Sequence, residues 1–149
     1  MKFILLAFSL SLSLSNEHLS VNVSLPIIQE LEILHVDELP IISAEDINKG
    51  YIDIKDAVTI NIKSNVRWKL NVLTDKKSLY TSKEVDISNI KILKNGILMN
   101  IGESPVVISE GMQTSGEIVN VSYRRMLSWD TCPPGAWSIE PKFMLEPLQ

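Results

Sequence analysis

Val58-Thr59-Ile60-Asn61-Ile62-Lys63-Ser64-Asn65-Val66-Arg67-Trp68-Lys69-Leu70-Asn71-Val72 alternates apolar and polar residues, the pattern of strands with one buried face. Its apolar residues all fall at even positions, so Ser64-Asn65 interrupts the run without shifting its phase. Ser-Asn lacks the glycine that favours a tight two-residue turn. The stretch is therefore read as one long bent strand with Trp68 on its buried face. A hairpin is the alternative.

The same period governs the chain on either side. Leu19, Val21, Val23 and Leu25 alternate with polar residues, and the odd phase resumes at Ile27, Leu31 and Ile33. Pro26 cannot donate to a ladder, which predicts an edge strand that changes course there. Asn95-Gly96 between apolar alternations predicts a type I′ hairpin. That turn sets Ile92 opposite Met99 and Ile90 opposite Ile101, and opposed residues share a face. Val119, Val121 and Tyr123 share one face, and Trp137, Ile139, Phe143 and Leu145 share another. Pro141 marks an edge or bulge in that last segment, and Cys132-Pro133-Pro134-Gly135 before it reads as a rigid turn. Asp46-Ile47-Asn48-Lys49-Gly50 also reads as a turn, and no capped helical period is found. The spacing predicts an all-β sandwich or barrel of about seven to nine strands.

The start of the chain predicts where it works. Met1-Lys2 precedes an apolar and serine run from Phe3 to Leu14, with small residues at Ser13 and Ser15. This describes a secretory signal peptide over residues 1–15, leaving residues 16–149 as a single domain that is secreted, periplasmic or at the cell surface. The leader is too short to span a bilayer, and nothing after it is long enough. The formal net charge is −4, whereas nucleic-acid binders normally show a basic face. The only cysteine, Cys132, allows no disulfide within the chain, only pairing with another chain.

Three features together carry a resemblance: the alternating strand after the leader, the Val58–Val72 stretch with Ser64-Asn65-Val66-Arg67-Trp68-Lys69-Leu70, and the closing strands joined through Pro133-Pro134-Gly135-Ala136-Trp137. The combination resembles secreted bacterial immunoglobulin-like sandwich domains of pilins and spore-coat-type subunits. It implies an immunoglobulin-like antiparallel β-sandwich with a structural or adhesive role and no catalytic residues. The chain departs from chaperone-assembled pilins, many of which carry a disulfide.

Candidate chemistry is sparse. The two histidines, His18 and His35, read as solvated surface residues, since a metal site usually needs three or four clustered ligands. Asp46 to Gly50, with Asp53 and Asp56 beyond, hints at a calcium loop, but its glycine comes at the fifth position rather than the sixth. No Ser-His-acid set or Gly-x-Ser-x-Gly elbow is present, and Cys132 has no neighbouring histidine to activate it. No cofactor is called for, and an enzyme is the least favoured class. Asn22-Val23-Ser24 and Asn120-Val121-Ser122 match the glycosylation triplet, which is common by chance. Trp68, Tyr123, Trp137 and Phe143 fall on apolar faces and read as core. Trp129, outside any clear alternation, either caps the end of the sandwich or anchors a ligand.

The residues predict an extracytoplasmic structural or adhesive domain. Leu19, Val21, Val23 and Leu25 form a candidate segment for strand addition to another copy or another surface protein. The alternative is a stand-alone carbohydrate- or protein-binding module with Trp129 as its anchor.

Overall fold

The alternation over Val58–Val72 becomes two strands in two different sheets. In the computed structural model, which describes residues 21–74, 78–80, 84–85, 87–132 and 137–148, the strands are β1 (Gln29–Val36), β2 (Tyr51–Ser64), β3 (Trp68–Leu73), β4 (Ser78–Tyr80), β5 (Glu84–Val85), β6 (Ile90–Lys94), β7 (Ile97–Asn100), β8 (Val106–Gly111), β9 (Thr114–Met126), β10 (Trp137–Ser138) and β11 (Lys142–Pro147), with one short helix, α1 (Ala44–Lys49). Eight of these strands have four or more residues, within the number expected. β4, β5 and β10 are too short to show an alternation.

The sheets run β1-β2-β9-β6-β7, β11-β3-β8 and β10-β4-β5, and every pairing is antiparallel. The first two share one core. Ile60 and Ile62 of β2, Ile92 of β6, and Val121 and Tyr123 of β9 pack with Trp68, Leu70 and Val72 of β3 and Ile108 of β8. The fold is thus an all-β antiparallel sandwich. β2 pairs with β1 and β9, and β3 with β11 and β8, so Ser64–Arg67 is a corner between two sheets, neither the single bent strand expected nor a hairpin. The Ser64 hydroxyl donates to the Val66 carbonyl (2.8 Å) and accepts from the Val66 N–H (3.3 Å). That local loop turns the chain while leaving Ser64 buried and satisfied.

The hairpin register is as predicted: Ile92 opposes Met99. Asn95 (φ 50°) and Gly96 (φ 78°) both take the positive φ that a type I′ turn requires. β7 ends at Asn100, so Ile90 and Ile101 meet in the core rather than through the ladder. Trp137, Ile139, Phe143 and Leu145 pack against the core from its margin.

Two further expectations are corrected. The turn at Asp46–Gly50 is the end of helix α1. Ser43 accepts from the Asp46 N–H (3.2 Å), and Asp46 accepts from the Ser43 N–H (2.9 Å). This is a capping box with aspartate in the third position. Gly50, at φ 89°, closes the helix in the left-handed region. The second correction concerns the edge strand expected over Leu19–Leu25. Residues 21–28 form no strand, and β1 begins only at Gln29. Alternation supplies two faces, but a strand also needs a ladder partner, and β1 already occupies that side of β2. Leu19, His18, the expected leader over residues 1–15 and most of the Cys132–Gly135 turn lie outside the described residues. No helix among the described residues is long and apolar enough to cross a membrane.

Candidate partner-binding site

Residues 21–28 leave the sandwich at one end of β1, where Asn65 holds the base of the segment. The Asn65 amide donates to the Pro26 carbonyl (2.9 Å) and accepts from the Ile28 N–H (2.8 Å), and its own N–H reaches the Ile28 carbonyl (3.1 Å). Beyond this clamp the apolar residues have little cover. Val21, Val23, Leu25 and Ile27 are each more than half exposed, and Leu25 reaches 78%. An open hollow of about 540 Å³, lined by Ile28, Asn65, Thr114 and their neighbours, lies at the same base. It adjoins the first residue of β9.

The five-stranded sheet is incomplete at β9. On one side β9 pairs with β2 from Thr114 to Met126. On the other, β6 covers only Ser122 to Arg125. From Thr114 to Val121 the second edge of β9 has no ladder partner among the described residues. Beside that edge lies a groove of about 340 Å³ with a mostly polar surface; Val119 is half-buried there, and the core residues Ile92, Ile108 and Val121 lie beneath it. Asp56, Lys94, Asn120 and Ser122 line it too. The Asp56 N–H donates to the Ser122 hydroxyl (2.9 Å) and pins a bulge in β2 where Asp56 takes φ 50°.

A second surface lies on the outer face of the same sheet. Asp53, Arg124, Lys91 and Asn100 stand in one row across β2, β9, β6 and β7. Arg124 grips Asp53 through Nε (2.6 Å) and Nη2 (2.8 Å), and Lys91 donates to Asn100 (2.5 Å). Arg124 and Lys49 both lie over the Tyr51 ring, at 3.9 and 4.3 Å from its centre. Trp129 is 65% exposed on the Ser128–Thr131 turn, and its indole N–H donates to the Asn48 side chain (3.1 Å).

The hydrogen bonds from Arg124 hold the Asp53 carboxyl below its ordinary value of 3.8. A carboxylate with a depressed native value adds stability above its unfolded value and loses it as pH falls towards the native one. Asp53→Asn should therefore lower stability at neutral pH by on the order of 1 kcal/mol, given partial exposure. The gap to the parent chain should be full well above 3.8 and close as pH falls below it towards the native value. Urea unfolding of both chains along an acid series checks this, and a gap independent of pH contradicts it.

The other candidates stand apart. His35 is exposed and contacts Asp37, Asp46 is engaged in the helix cap, and Asp53 in the Arg124 pair. No group of three or more metal-ligating side chains is found among the described residues. Cys132 is half-buried. Burial pushes the Tyr123 hydroxyl well above its usual range. Alternation could not reveal the β9 groove, because where β6 leaves β9 is a matter of pairing. The Trp129–Asn48 contact was equally hidden, though the Ser43-Ala44-Glu45-Asp46 capping pattern was a readable sign of the helix that carries Asn48.

Comparison with known protein families and with characterised proteins found no match to this chain.

Proposed function

We propose that this chain is an exported structural or adhesive subunit that joins further copies of itself by strand addition. The observation that carries the reading is the uncovered β9 edge, with a groove of mixed polarity beside it. An added strand gains backbone hydrogen bonds from such an edge and specificity from alternate side chains. Residues 21–28 have the right form to supply it. Residues 21–25 lie beyond the Asn65 clamp, and their odd positions are apolar, against an open edge that runs from Thr114 to Val121. A neighbouring copy that laid Val21, Val23 and Leu25 along the β9 edge would cover both exposed surfaces at once. Export fits this role, because the apolar run over Phe3–Leu14 has the form of a leader.

The test is the mass of the chain beginning at Asn16, measured by sedimentation over a wide concentration range. The expected result is a ladder of oligomers that grows with concentration. Deleting residues 16–25 should leave a folded monomer, and a peptide of residues 19–28 should bind that monomer. A strict monomer of the undeleted chain at every concentration overturns the assembly reading.

A further inference from the structure

The surface around Trp129 is built in a way that assembly through the β9 groove does not use. A tryptophan left 65% exposed forgoes much of the stabilisation that burying so large a ring provides. This one is nonetheless held in place. Its turn is closed by the Thr131 N–H to both the Ser128 carbonyl and the Ser128 hydroxyl (each 3.2 Å), and by a Ser128–Thr131 hydroxyl contact (2.7 Å). Its N–H is fixed by Asn48. The result is an oriented apolar plate with an amide at its rim.

Two cations meet over Tyr51, three residues along the chain from Asn48. Lys49 follows Asn48 in sequence and rests over Tyr51, as does Arg124. Asp53 takes Nε and Nη2 of Arg124, which fixes the guanidinium and leaves the Nη1 hydrogens for another acceptor. Lys91 stands opposite Arg124 on the next strand. Asp53 is the one acid in that row, in a chain whose net charge is −4. Asp46 and Asp53 lie within electrostatic reach of Lys49, and Asp130 adjoins Trp129, so all three acids would oppose an anion there.

A flat indole stacks on the C–H face of a pyranose ring, an amide meets ring hydroxyls, and fixed cations meet a carboxylate. We infer that Trp129, Asn48, Lys49, Tyr51 and Arg124 form a binding site for an acidic saccharide carrying uronic-acid carboxylates. The site spans the Ser128–Thr131 turn, the end of α1 and the outer face of β2 and β9, whereas an added peptide strand seeks a strand edge such as that of β9.

The test is titration of the chain from Asn16 with an oligogalacturonate tetrasaccharide, followed by calorimetry and tryptophan emission, with cellotetraose and hexaglutamate as controls. The acidic tetrasaccharide should bind, and added salt should weaken it. Trp129→Ala should weaken binding about tenfold or more, as loss of a central aromatic anchor does, with no change in unfolding midpoint. Lys49→Gln should weaken the acidic sugar and remove its advantage over cellotetraose, and Asp130→Asn should tighten it. Absence of tetrasaccharide binding at millimolar concentration overturns the site, as does equal binding by Trp129→Ala. Hexaglutamate binding in place of the sugar overturns the saccharide assignment. None of these outcomes depends on whether the chain assembles through the β9 groove.

Discussion

Trp68→Ala should cost about 3–5 kcal/mol, the range for truncating a large buried aromatic. Trp68 is 0% exposed and begins β3, the central strand of the smaller sheet, so its indole fills space between both sheets. The partner position shows how closely the site is fitted. Gly111 opposes Trp68 across the β3–β8 ladder, and a Cβ there would come within 2.3 Å of the indole. That glycine is required for space, and its backbone angle is ordinary. Gly111→Ala should therefore cost roughly 1–3 kcal/mol through overpacking. Combined with Trp68→Phe it should cost less than the two changes summed, because the smaller ring makes room for the methyl. Urea unfolding monitored by circular dichroism measures all four chains. A loss below about 1 kcal/mol for Trp68→Ala would contradict its place in the core.

Trp68 also shows which parts of this molecule can be read from its sequence. Its burial followed from period two alone, as did that of Ile60, Ile62, Leu70 and Val72, because side chains on a strand alternate between faces whatever the strand pairs with. The Asn95-Gly96 hairpin was legible because both turn residues need positive φ and the register then follows. Pairing between distant segments was not legible. Nothing in Ser64-Asn65-Val66 announces that β2 and β3 belong to different sheets, since the phase is the same for a straight strand and for a corner. Residues 21–25 alternate cleanly, yet form no strand, because alternation does not supply a ladder partner. The candidate surfaces depend on those same pairings. Exposure of Val23 and Leu25, and the gap beside β9, emerge only when the strand order is known.

Placing aspartate at both Val23 and Leu25 should convert an assembling chain into a monomer while leaving its fold unchanged. Within one copy these side chains are 60% and 78% exposed, so polar replacements there should alter stability by no more than about 0.5 kcal/mol. In the proposed assembly the same side chains cover the groove beside β9, over Val119 and a floor of Ile92, Ile108 and Val121. A carboxylate buried there without a partner costs several kcal/mol. Each 1.4 kcal/mol is a factor of about ten in affinity, so two such residues should weaken association by roughly a hundredfold or more. Ser20→Asp with Ser24→Asp is the matched control. Ser24 lies on the opposite phase from Val23 and Leu25, so charge there points away from the groove and assembly should survive. Sedimentation of the three chains at equal concentration reads the difference. If the Val23–Leu25 pair and the serine pair lose assembly equally, net charge is responsible and the groove is not the acceptor. If both assemble like the parent, residues 21–28 are not the added strand. Loss confined to the apolar phase is the result that strand addition at β9 requires.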